Sequence, residues 1–191
     1  MQFEDLISSG LSASQANDGA QAVECFQRAR TEAPSSGLPP FLLGTEFAAL
    51  GEYDKAESAF ADAVRLAPDF SIARYQLGLL QFSSGRASVG LLTWQALLSL
   101  PDSDPLPHFV RGFSDLAQDQ FIDALVHYER GLQRNTSNPA LSGDIEKVMT
   151  GIRELLAKAS DVSPSEGDTH DVNGSAHVLL ANYQQGDTTR H

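Results

Sequence analysis

The sequence is poor in cysteine, in positive charge and in long apolar runs, and each shortage closes a class of function. Its 191 residues hold one cysteine, Cys25. A single thiol cannot build an internal disulfide framework or a cysteine-based zinc site, and it fits a reducing compartment. Lys and Arg number 13 against 25 Asp and Glu, a formal charge of −12. Phosphate backbones are held by Lys and Arg, and no basic cluster occurs, so no nucleic acid is expected as a partner. An anionic membrane surface is disfavoured for the same reason. Apolar runs stop after a few residues, well short of the roughly 20 that span a bilayer, so no membrane insertion is expected. The opening Met-Gln-Phe-Glu-Asp is acidic where a secretory signal is basic, which points to a cytoplasmic protein.

Catalytic signatures are missing too. There is no GxGxxG, phosphate loop, GxSxG or HExxH. The expectation is therefore no catalytic residue, no cofactor and no metal. Asp168, His170 and Asp171 have the types of metal ligands, but they stand in a polar stretch where solvated charge is the better reading. A metal-dependent hydrolase is kept only as the remote alternative. His108 and His127 fall on different expected helices and read as structural. Cys25, beside Phe26 on an apolar helix face, reads as a small buried hydrophobe.

What the chain does have is a period. Glycine stands at Gly10, Gly44, Gly78 and Gly112, each 34 residues after the last. Ala22, Ala56, Gly90 and Ala124 form a second column, all small. Phe26, Phe60, Trp94 and Tyr128 form a third, all aromatic, four residues later. Three columns on one period mark a repeat architecture. Small side chains let two helix backbones approach, and the aromatic one turn on fills the gap towards the next helix pair. One pair cannot bury its apolar face alone, so stacked neighbours stabilise the array.

Each repeat reads as two helices. In the second, Pro39 and Pro40 suit a first helical turn, where N–H groups lack intrahelical partners. Phe41, Leu42, Phe47, Ala48 and Leu50 follow at helical spacing, and Gly51 breaks the pattern. Asp54 is the expected cap of a second helix whose apolar face is Ala56, Ala59, Phe60, Ala63, Val64 and Ala67, before Pro68 ends it. The other repeats turn near Asn17–Gly19, Ser83–Arg86 and Gln118–Gln120. After Asn138, the expected N-cap, a further amphipathic helix carries Ile145, Val148, Met149, Ile152, Leu155 and Leu156.

These columns resemble the tetratricopeptide repeat family, whose pattern is W-x2-L-G-x2-Y, A-x3-F and P over 34 residues. The second repeat matches best, with Pro40-x2-Leu43-Gly44-x2-Phe47, Ala56-x3-Phe60 and Pro68. The first departs at Leu6, Ser9 and Ala13, the third at Gly90 and with Pro101 one position early. The fourth departs most, with Arg111, Asp115 and its proline displaced to Pro139. The resemblance implies an all-α solenoid, residues 1–158, of four helix-turn-helix repeats at about 3–36, 37–70, 71–104 and 105–138. A capping helix over 139–158 closes it.

The resemblance also implies a concave groove lined by the first helix of each repeat. Its inward columns here are Ile7 and Leu11, then Leu38, Phe41 and Thr45. Ile72, Tyr75, Leu79 and Phe82 follow, and Leu106, Phe109, Phe113 and Leu116 complete the stripe. The stripe is apolar and aromatic and lacks the Lys, Asn and Arg with which one subclass clamps a terminal carboxylate. An open apolar stripe of that extent calls for a cover.

Beyond the array, residues 159–174 shift to Ser, Asp, Gly, Pro, Thr and Asn and read as a flexible linker before a disordered tail over 175–191. Within that tail, residues 176–183 would place the anchors Leu179, Leu180 and Tyr183 on one helical face. Even with Ser175 as N-cap, the nine residues 175–183 cannot hold a helix alone in water, so the segment either stays disordered or docks, with the groove as the proposed seat. The functional expectation is a non-enzymatic adaptor that binds an apolar peptide or amphipathic helix of another protein. Small acidic tetratricopeptide chaperones of bacterial secretion are similar in size, charge and groove character. The alternative is a structural module that forms a homo-oligomer or fills its groove with its own tail.

Overall fold

The computed structural model describes residues 2–161, with side chains to residue 159. The tail anchors Leu179, Leu180 and Tyr183 and the ligand-like Asp168, His170 and Asp171 lie outside the described residues.

Helices alone make up the regular structure of the described residues: α1 (Phe3–Gln15), α2 (Gly19–Glu32), α3 (Leu38–Ala49), α4 (Tyr53–Leu66), α5 (Ser71–Ser83), α6 (Ala87–Trp94), α7 (Leu106–Leu116), α8 (Phe121–Arg134) and α9 (Pro139–Asp161). A 3-10 helix, Gln95–Ser99, continues α6. This is the all-α, tetratricopeptide-type solenoid expected of the sequence. The chain divides into two compact units, one ending at Gln81 and one beginning at Phe82.

The glycine column has a more specific role than backbone approach. A Cβ placed on Gly44 would stand 2.6 Å from Cδ1 of Phe60, and one on Gly112 would stand 2.5 Å from Cε1 of Tyr128. On Gly10 it would meet the Phe26 ring. The first-helix glycine is thus the seat of the second-helix aromatic, and the two columns repeat together because one makes room for the other.

The turns obey the same period. Asn17, Gly51, Gly85 and Asp119 all have left-handed φ, at 58°, 75°, 81° and 56°. After α1, α3 and α7 the chain closes with a bond from the N–H of the residue that follows the left-handed one to a carbonyl five residues back. These are Asp18 to Ala13, Glu52 to Phe47 and Gln120 to Asp115. That is the Schellman closure, which requires a left-handed residue between.

Three boundaries differ from expectation. Glu52, not Asp54, flanks the start of α4, and Asp54 lies in its first turn, where a carboxylate favours the helix dipole. In the third repeat the α-helical part of the second helix spans 8 residues, against 14 in α2, α4 and α8. Val89, Gly90 and Thr93 are weak helix formers, and the chain tightens to 3-10 geometry that still buries Leu97. Finally, α9 runs to Asp161, so the first three residues of the expected linker are helical. Ala157 and Ala159 favour helix, and no Gly or Pro intervenes after Gly151. Asn138 caps α9 as expected: its Oδ1 accepts the Leu141 N–H at 3.1 Å.

Candidate partner-binding surfaces

In the first unit, most of the expected groove columns keep surface. Ile7 is half-buried against the cluster of Ala22, Phe26, Leu43 and Ala59. Leu11 is 42% exposed. Leu38, Ile72 and Leu79 are half-buried, and Thr45 is exposed, its hydroxyl donating to the Phe41 carbonyl at 3.1 Å. Phe41 is half-buried, with ring centroids 4.8 Å from Phe70 and 6.0 Å from Phe60.

Six other columns are interior. Tyr75, Phe82, Leu106, Phe109, Phe113 and Leu116 are all buried and offer no surface to a partner. In the second unit the reason is plain. Phe113 lies 5.3 Å from Phe82, 5.1 Å from Trp94 and 5.3 Å from Tyr128, centroid to centroid. Phe109 rests on Gly131, where a Cβ would strike its ring. Arg111 and Asp115 stand where the family pattern has Leu and Tyr, and the phenylalanines of α7 supply the missing apolar filling.

The histidines occupy structural places. His108 is buried, and its Nε2–H donates to the Asp102 carbonyl at 3.0 Å while lying 3.2 Å from the Asp102 carboxylate. Arg134 grips the same carboxylate at 2.9 Å, and this hydrogen bond holds the Asp102 carboxyl below its usual range. His127 Nε2 lies 3.7 Å from Asp115 Oδ2. Burial lowers the His127 pKa and raises that of Asp115. Desolvation therefore outweighs the mutual attraction of the pair. No group of three or more His, Cys, Asp or Glu able to hold a metal exists among the described residues. Cys25 is buried, with the Gln21 amide donating to its sulfur at 3.4 Å.

Sequence reasoning missed a second surface. An open depression of about 410 Å³ lies between α6 with its 3-10 extension and α7. Leu91, Leu92, Leu98 and Val110 line it, with Arg111 and Ser114 on the α7 side. Leu92 is 71% and Leu98 42% exposed. On a helix of 3.6 residues per turn, residues 110, 114 and 111 sit roughly a quarter, a third and a half of a turn from the centre of the expected inward columns of α7. The available signal was the surplus of leucine after Ser88: Leu91, Leu92, Leu97, Leu98 and Leu100 exceed what the repeat pattern buries.

Residues 41–104 match the family model described as tetratricopeptide repeat. Solved structures share the fold. A crystal structure of MamA superposes with a TM-score of 0.58 at 18% identity, over 70% of this chain and 78% of that one. MamA from residue 41 to its end, from Desulfovibrio magneticus RS-1, gives 0.59 at 14%, over 84% and 97%. YrrB, described as a TPR protein with an unusual peptide-binding site, gives 0.56 at 14%, over 97% and 86%. A search of curated proteins finds no match. No helix among the described residues is long and apolar enough to cross a membrane.

Proposed function

We propose, from the premise that this chain is a tetratricopeptide repeat protein, that it is a non-enzymatic adaptor holding an apolar peptide or amphipathic helix of a partner protein on its first unit. Folds of this type mediate protein–protein interaction, which sets the general role. The observation that carries the finer reading is the surface left on Ile7, Leu11, Leu38, Phe41, Thr45, Ile72 and Leu79. These are first-helix positions of three successive repeats, and a helix laid across them would find aliphatic and aromatic anchors at the spacing that groove recognition uses. The buried columns drop out of the site, so the contact is smaller than a four-repeat groove.

Selection of a displayed random 12-residue peptide library on the full chain tests this. Enriched peptides should be apolar, and Leu11→Glu should weaken them at least tenfold while leaving the thermal transition in place, because Leu11 is already exposed. Apolar peptides indifferent to Leu11→Glu would defeat the reading. Concentration-dependent sedimentation abolished by the same substitution would replace it with self-assembly.

A further inference from the structure

We propose that the depression between α6 and α7 is a second docking site, for a segment of another protein that carries aliphatic side chains and one carboxylate. It is independent of the first-unit surface, and either can fail alone.

Leu92 and Leu98 stand at 71% and 42% on one rim, and Val110 is buried at the base. Scattered apolar residues on a surface need no explanation, but two exposed leucines beside a concave apolar floor are the arrangement a ligand side chain fills. About 410 Å³ accommodates two or three aliphatic side chains and no folded domain.

The charge on its wall narrows the ligand further. Arg30, Arg65, Arg134 and Arg153 each meet a carboxylate, at 2.7, 3.1, 2.9 and 3.3 Å. Arg111 is half-buried on the wall of the depression, and its guanidinium donates to no acceptor among the described residues. The Arg111 charge acts on Asp102 from a distance, but the oxygens of that carboxylate are held by Arg134 and His108. In a chain of net charge −12, a half-buried guanidinium with no carboxylate in hydrogen-bond contact offers its donors to one from outside. Its planar fork binds a carboxylate through two parallel N–H donors, and a partly desolvated wall strengthens that bond. The same −12 charge repels highly acidic ligands, so one carboxylate among apolar residues fits better than an acidic run.

The library selection on the full chain, read with other variants, decides the matter. One class of enriched peptides should combine Leu, Ile or Phe with a single Asp or Glu, lose at least tenfold in affinity on Leu92→Asp, and ignore Leu11→Glu. Changing the peptide's acid to its amide should weaken binding to the wild-type chain about tenfold and leave binding to Arg111→Gln unchanged. Arg111→Lys, which keeps charge and loses the fork, should fall between. Enrichment without an acid, equal binding by wild type and Arg111→Gln, or no enriched peptide sensitive to Leu92→Asp overturns the proposal. So does a wild-type dimer that Leu92→Asp dissolves, because the occupant is then a second copy of this chain.

Discussion

Two glycines in the same helix hairpin separate two physical reasons for having no side chain. Gly44 is helical, and an added methyl would stand 2.6 Å from the Phe60 ring, whose own burial leaves it little room to retreat. Gly51 has φ 75° and nothing within 4 Å of an added Cβ. Gly44→Ala should therefore lower stability through crowding, by about 1–3 kcal/mol. Gly51→Ala should lower it through left-handed strain alone, by about 1–2 kcal/mol. Thermal unfolding of both, with Phe60→Leu added to each, distinguishes them. The second change should relieve the Gly44→Ala penalty in part and leave that of Gly51→Ala intact.

Asp115 is a residue where sign matters. Burial raises its pKa, so the folded state holds the proton more tightly than the unfolded chain, and stability is lost as pH rises through the carboxylate range. At neutral pH the ionised group is largely desolvated, and Oδ2 has no hydrogen-bond partner. Asp115→Asn should then stabilise the protein by about 1 kcal/mol at pH 7, with the gain gone near pH 3. A pH series of urea titrations checks it, and a constant difference across that range contradicts the assignment. His127, its pKa lowered by burial, adds stability that fades as pH drops below its ordinary value.

Among the elements, legibility followed the strength of the local constraint. Helix pairs and their 34-residue register were readable because glycine and aromatic columns must vary together, one seating the other. The left-handed column was present but disguised: Asn17, Gly51, Gly85 and Asp119 share a backbone conformation while differing in identity. Which face of α7 is surface was not readable. That depended on Arg111 and Asp115 displacing the usual apolar residues and on Phe113 filling a ring cluster drawn from α5, α6 and α8. The cap of α9 was legible because a short side-chain acceptor before proline is a local signal. Asn138→Ala should remove the bond to the Leu141 N–H and destabilise the protein by about 1 kcal/mol, with Asn138→Asp close to neutral. Chemical denaturation of the three proteins measures this, and an unchanged midpoint in the alanine variant would mean the cap contributes nothing.

At the scale of the molecule, the packing is local along the chain. Within the first unit α1 packs on α2, α2 on α3 and α3 on α4. Within the second, α6 packs on α7, α7 on α8 and α8 on α9. An array in which each helix meets chiefly its sequence neighbours behaves as a nearest-neighbour chain, whose stability is a sum of repeat and interface contributions. A lesion should then weaken its surroundings first and fade with distance in sequence. Gly44→Ala offers the test, since it strikes the α3–α4 pair at the Phe60 seat. Native-state hydrogen exchange of the full chain should show amides of α2, α3 and α4 opening faster by roughly the factor that the lost 1–3 kcal/mol implies, five- to more than a hundredfold. Amides of α8, with their own core around Tyr128, should change by less than about twofold. Equal acceleration in α4 and α8 would instead show that the described residues open as one cooperative body, and the nearest-neighbour account would fail.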